Sequence, residues 1–278
     1  MKNLLFNFII VLAIGCLNCF GQDDLVIIDQ GAIYTEGMAE STLEIGLASA
    51  YVDRGQVIND NPVLQPQLTL SQYNYSLNLW ANYDLGANMD NVRNAISEFD
   101  IAFAYSLPVD VNQMAIDVGL INYNYPGNGD SSNPSTTELF LSSTILSFQN
   151  LFTPSITMYA DIQEYPGVYF LFDIFAPYEL SEYVGLVYGF SAGYGNTSYN
   201  DEKWSVNPST SNNDAGWTDF NLYVNASYEV SDTLTAAASL NYMSLNGSAY
   251  ETAASAIGYQ ANQIIWGAVN IAYDFWLI

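Results

Sequence analysis

The chain has 278 residues, of which 29 are Asp or Glu, four are Lys or Arg and none is His, for a formal net charge of -25 at pH 7. With Lys2, Arg54, Arg93 and Lys203 as its cations it has no basic patch to displace counterions from a phosphate backbone, so nucleic acid is excluded as a partner. The lack of His removes Ser-His-Asp and Cys-His catalysis and imidazole metal sites, and an apolar fraction of 50% with 15% aromatics is incompatible with an acidic disordered chain.

Residues 1–21 carry one cation, Lys2, an apolar run over 4–14, and end on Cys19-Phe20-Gly21. This is the layout of a secretory signal peptide cleaved before Gln22, and the run is shorter than the roughly 20 residues a spanning helix needs. Acylation of Cys16 after Ala13-Ile14-Gly15 is the alternative processing. Both cysteines lie in this segment, so the exported chain carries no thiol for a disulfide, a zinc site or a nucleophile. Residues 22–42 read as an irregular periplasmic leader.

From residue 43 onward the hydropathy has period two. Strands are expected at 43–54, 63–71, 75–85, 98–107, 112–125, 136–147, 153–163, 167–176, 183–195, 216–230, 233–246 and 262–277. In the third, Leu77, Leu79, Ala81 and Tyr83 alternate with Ser76, Asn78, Trp80, Asn82 and Asp84. In the ninth, Gly185, Gly189, Ser191 and Gly193 form the second face, as a water-facing lumen would have it. Most of these runs exceed the roughly 5–6 residues of a globular strand and reach the roughly 9–11 of a tilted membrane-spanning one. Short connections at 72–74, 108–111, 148–152, 177–182 and 231–232 alternate with longer polar ones at 55–62, 86–97, 126–135, 196–215 and 248–261; the tight turn at 164–166 breaks the rule. Pro62, Pro108, Pro126, Pro134, Pro177 and Pro208 fall in connections, whereas Pro66 falls inside a strand. The expected fold is all-β: a transmembrane antiparallel up-and-down β-barrel of about 12 strands over residues 43–278. It would sit in the outer membrane of a Gram-negative bacterium with the longer loops outside.

Three passages resemble the TorF-type family of bacterial outer-membrane porins. They are Tyr51-Val52-Asp53-Arg54-Gly55 followed by Asn61-Pro62, Tyr123-Asn124-Tyr125-Pro126-Gly127 followed by Glu138, and Gly216-Trp217-Thr218-Asp219. The resemblance covers roughly 43–275 and implies a porin-type barrel without catalytic residues. This chain departs from it in its acidity and in its Phe275-Trp276-Leu277-Ile278 end.

Carboxylates on the polar parity, Glu44, Asp84, Asp100, Asp117, Glu138, Asp161, Asp173, Asp219 and Asp274, would face the interior. They give either a negative field that favours cations or a packed interior whose acids satisfy one another and pass no ion. Arg54, at the end of the first expected strand and on the parity of Glu44, would point inward near the external rim. It would act either as a structural ion pair bridging Asp84 and Asp100 or as a selector or gate. Tyr83, Tyr105, Tyr188, Tyr242 and Phe275 on the outward parity read as an interfacial girdle, the alternative being a sugar-stacking platform. Asn59-Asp60-Asn61, Asn128-Gly129-Asp130, Asn200-Asp201-Glu202 and Asn212-Asn213-Asp214 lack a complete calcium-loop signature and read as solvated loops. No acidic pair is marked out for acid–base work, so neither an enzyme nor a cofactor is expected. The expected function is a channel for small solutes, favouring cations, with outer-membrane lipid as its surround. The alternative is a non-conducting structural or adhesive barrel whose external loops bind a surface partner.

Overall fold

A computed structural model describes residues 39–88, 91, 93–108, 114–126, 134–146, 148, 151–204, 214–259 and 261–277. Its strands are β1 (Ala39–Ala48), β2 (Tyr51–Asp53), β3 (Gln56–Asn59), β4 (Val63–Gln72), β5 (Tyr75–Asp84), β6 (Ala95–Ser106), β7 (Met114–Asn124), β8 (Thr136–Ile145), β9 (Thr153–Asp161), β10 (Gly167–Ser181), β11 (Val184–Gly195), β12 (Gly216–Ser231), β13 (Leu234–Leu245) and β14 (Gln263–Leu277). Twelve of them form a closed antiparallel barrel: β4 to β14 pair in sequence order, and β1 closes the ring between β14 and β4. Closure leaves no strand edge unpaired, as a backbone in lipid requires. The two remaining strands, β2 and β3, pair only with each other.

Period two sorts the side chains between lipid and lumen. In β1, Leu43, Ile45 and Leu47 are 44%, 50% and 45% exposed on the outer face, whereas Glu44 between them is 1% exposed. The outer band continues through Leu120, Leu139, Leu141, Phe190 and Leu222. At the rim that carries the short turns, Ala39 of β1 and Leu277 of β14, Tyr75 lies 4.8 Å from Tyr105, and Tyr183, Tyr228 and Tyr273 are exposed. Toward the opposite rim, which carries the longer loops, Trp217 lies 5.4 Å from Tyr194. These are the two aromatic belts of a membrane barrel.

The wall departs from the sequence-based strands in a few places. The first strand begins at Ala39, inside the expected leader, and ends at Ala48 instead of 54. β10 runs on to Ser181, so Pro177 is not in a connection: it pairs with Val187, and the register slips between Glu179 and Ser181. Pro66 lies within β4 opposite Ile45. The β4–β5 register is interrupted at Gln65 and Pro66, where proline has no N–H to offer the ladder, and the Gln65 amide instead donates to Asn82 Oδ1 at 3.0 Å. Residues 1–38, with the expected signal peptide and most of the leader, lie outside the described residues, as do Pro208, Asn128-Gly129-Asp130 and Asn212-Asn213.

Two of the expected longer polar loops contain helices, α1 (Thr197–Lys203) and α2 (Ser248–Ile257). The Asn196 side chain caps α1 by accepting from the Tyr199 N–H at 2.9 Å, and α2 ends on Gly258 at φ 106°. Both helices lie at the loop rim. Trp204, just past α1, is buried edge-on against Tyr250 of α2 and Tyr259. It joins Val52, Val57, Ala254, Met243 and Trp266 in one apolar cluster. The loop half of the barrel is therefore filled by a core of the globular kind, built from wall residues, α2, Trp204 and the β2–β3 hairpin.

A candidate functional site at the tip of an inserted hairpin

Arg54 and Gly55 join β2 to β3, with Asp53 paired to Gln56. Both joining residues are left-handed, at φ 43° and 80°, which is the two-residue turn that twists with its strands. Gly55 suits that conformation and has no room for a side chain, because a Cβ there would lie 2.8 Å from Asp219 Cβ and 2.9 Å from Leu245 Cδ2. Arg54 is a non-glycine residue in a region that costs on the order of 1–3 kcal/mol. Its position is explained by where its side chain goes.

The guanidinium crosses the lumen to β8. Nη1 donates to Glu138 Oε1 at 2.9 Å and Nη2 to Glu138 Oε2 at 2.7 Å, the parallel fork that makes guanidinium–carboxylate pairs strong. Nη2 also reaches the Tyr123 hydroxyl at 3.3 Å, and that hydroxyl donates to Glu138 Oε2 at 2.8 Å. The guanidinium carbon lies 4.4 Å from the Tyr159 ring centroid and 5.0 Å from that of Tyr169, within cation–π range. Four consecutive wall strands, β7 to β10, thus each contribute one residue to a socket for this side chain.

The charge is not balanced there. Asp53 Oδ1 is 4.0 Å from Arg54 Nε, and Asp219 lies against the turn at Gly55. Burial raises the Asp53 carboxyl above the ordinary aspartate value, with Arg54 and then Lys203 offsetting part of it. Burial also works against the Arg54 charge, but Glu138 and Tyr123 outweigh it and the guanidinium stays protonated. Higher on the hairpin, burial and then the Glu98 charge hold the Tyr51 hydroxyl well above its usual range, so it remains a neutral donor to Glu98 at 2.8 Å.

The Arg54 fork goes to Glu138, not to the expected Asp84 and Asp100. Asp84 is held by the amides of Asn59, Asn82 and Asn88 at 2.7, 2.9 and 2.9 Å, and Asp100 is buried on the inner face across from Trp80 and Tyr123. The reason is that the chain leaves the wall at Ala48, so Arg54 has no wall parity at all. The other acids are dispersed. Asp219 accepts from Tyr169 at 3.2 Å and Asn221 at 2.9 Å, Asp173 from Tyr223 at 3.0 Å, Asp117 from Ser106, and Asp274 from Thr42 at 2.6 Å. Asp161 accepts from Thr136 at 2.6 Å and from the backbone of the 162–166 turn, while Glu44 is buried between Ala272 and Gln67. Two of the polar loop triplets have structural work: Asn59 holds Asp84, and Asn200 donates to the carbonyls of Gly195 and Asp214.

The small second face of β11 has a different meaning from the one its sequence suggests. Gly193 is covered by the Tyr169 ring and Gly189 by that of Tyr223, each so closely that a Cβ would overlap the ring. These glycines make room for inward tyrosines instead of opening the lumen to water. Tyr159 and Tyr169 carry no motif that would single them out in sequence. The other parts of the site do: the three sequence passages singled out above converge here, Arg54 from the first meeting Tyr123 and Glu138 from the second, and Asp219 from the third lying against Gly55.

Residues 34–247 match a bacterial family described as "Bacterial protein of unknown function (Gcw_chp)". No curated protein matches the sequence. Among solved structures, the NanC porin superimposes with a TM-score of 0.53 at 9% identity, over 84% of this chain and 100% of its own. The KdgM porin does so with 0.51 at 9%, over 84% and 99%, and has also been solved in complex with disordered oligogalacturonate. The COG4313 outer membrane channel from Pseudomonas putida F1 gives 0.51 at 7%, over 90% and 100%. At such identities the likeness is one of fold.

Proposed function

The chain belongs to the Gcw_chp family, and we propose that it is an outer-membrane channel for small solutes, favouring cations, whose loop half is closed by the β2–β3 hairpin. The observation that carries this reading is that the segment filling the lumen is not part of the wall. β2 and β3 pair only with each other, so the hairpin can leave without breaking a wall hydrogen bond of the twelve-stranded ring. The fold shared with NanC, KdgM and the COG4313 channel supports a porin-type role, as does the resemblance to TorF-type porins. Buried acids on the inner face, among them Glu44, Asp117, Glu138 and Asp219, favour cations over anions along the path that opens. With this goes export by a signal peptide over 1–21, cleaved before Gln22, and a periplasmic leader from there to the barrel.

The test is electrical. Chain in which 51–59 is replaced by a Gly-Ser linker should conduct in planar bilayers more than the intact chain, with a reversal potential across a salt gradient of the cation-selective sign. The preference should fade at high salt, as the Debye length falls from about 10 Å at 0.1 M to about 3 Å at 1 M. An anion-selective current removes the cation preference. Silence in both forms favours the second reading, a non-conducting barrel whose loops bind a partner, for which the apolar seal around Trp204 is the specific support.

A further inference from the structure

We propose that the socket holding Arg54 is a binding site for the guanidinium group of a solute, and that Arg54 is its tethered occupant. This rests on the channel reading and names the solute class. The socket and its occupant belong to separable parts of the molecule: Tyr123, Glu138, Tyr159 and Tyr169 come from four wall strands, whereas the cation arrives on a hairpin that the wall does not hold by any ladder. Emptied of Arg54, the socket keeps one carboxylate set for two parallel N–H donors, a hydroxyl beside it, and two aromatic rings spaced to lie against a planar cation. That set distinguishes guanidinium from a compact ammonium, which offers neither a fork nor a flat face.

The tethered occupant also carries burdens that a free one lacks. It brings the Asp53 carboxylate into the same buried volume, 4.0 Å from its own Nε, and it holds Arg54 at φ 43°. A free guanidinium solute makes the same contacts with Glu138 and the rings without either. Because Val52 and Val57 are buried in the apolar cluster and Tyr51 donates to Glu98, free guanidinium must outcompete more than the Arg54 contacts, so it displaces the hairpin of the wild-type chain only at concentrations above those that fill the empty socket of Arg54→Ala.

Guanidinium chloride, far below denaturing concentration, is the probe, with methylammonium and sodium chloride at equal ionic strength as comparisons. In full-length Arg54→Ala, guanidinium should raise the thermal midpoint of the detergent-solubilised barrel and interrupt its single-channel current in discrete blocks. Methylammonium should do so less and sodium not at all. Adding Glu138→Gln should weaken both effects about thirtyfold or more. In the wild-type chain guanidinium should make openings more frequent, each interrupted by the same discrete blocks, and this measurement stands if Arg54→Ala does not fold. Guanidinium acting no better than sodium, or equally well without the Glu138 carboxylate, overturns the site. A Glu138-dependent thermal shift without current in any form keeps the site and removes the channel; current without guanidinium sensitivity does the reverse.

Discussion

Arg54 and Glu138 are 84 positions apart in sequence, yet both terminal nitrogens of one face both oxygens of the other, at 2.9 and 2.7 Å. A buried pair of this kind resists loss of one partner far more than its net contribution suggests, because the survivor is left charged and unsolvated; the cost is about 3–5 kcal/mol. Beyond residue 21 the sequence offers trypsin three sites, Arg54, Arg93 and Lys203, which makes the hairpin easy to follow. Wild-type protein should resist cleavage after Arg54, and Glu138→Gln should be cut there while its barrel still shows heat-modifiable migration. Equal resistance in both would mean that the pair does not hold the hairpin.

Gly55→Ala should release the same bond to trypsin. The substitution meets a left-handed backbone at φ 80°, worth about 1–2 kcal/mol, together with a Cβ placed 2.8 Å from Asp219 Cβ. Asp219→Gly removes that Cβ, so the double variant should regain part of the protection. If it regains none, the close approach is not what opposes the alanine.

Cysteine labelling tests the orientation, since residues 22–278 contain no cysteine. Asp60 is exposed at the loop rim and Asp232 is exposed in the turn between β12 and β13 at the opposite rim. A membrane-impermeant maleimide should reach Asp60→Cys on intact cells and Asp232→Cys only after permeabilisation. The opposite pattern would invert the barrel.

Acid should favour the inserted hairpin through Asp53. Burial lifts its carboxyl above the ordinary value of 3.8, so its contribution to insertion is complete below that value and is lost as pH rises through the raised one. The open fraction in bilayers should therefore rise with pH in the range above 3.8, and Asp53→Asn should flatten that rise and leave the channel more closed at neutral pH. An Asp53→Asn profile that overlays the wild type would assign the pH response elsewhere.

The wall was readable because lipid on one side and protein on the other impose period two on every strand that crosses, as in Leu77 to Asp84, where the inward and outward sets fall as the alternation requires. The hairpin was harder to read. Ala48-Ser49-Ala50-Tyr51-Val52 contains no Gly, Pro or Asn to mark where the chain leaves the wall, so nothing in the pattern ends the strand there. Tyr51-Val52-Asp53 and Gln56-Val57-Ile58-Asn59 around a two-residue Arg-Gly do form a hairpin signal, but Arg is an unusual residue for a left-handed position, and the turn was taken for the start of a loop. The partner of Arg54 lay beyond reach, since it depends on how deep the hairpin goes and not on any parity. The Tyr169 and Gly193 pairing shows the same limit from the other side: an inward glycine looks like open space until the ring that covers it is seen.

The turn at Gly55 rests on Asp219 and Leu245, and the side chain before it rests on β7 to β10. The hairpin is made early by the ribosome, between β1 and β4, but its seat is complete only when the last third of the chain has joined the wall. Until β14 meets β1 there is no closed cup to receive it. The first insertion of the hairpin therefore cannot precede the closing of the ring. Protection of Arg54 from trypsin would then serve as a clock for the last step of folding into the membrane.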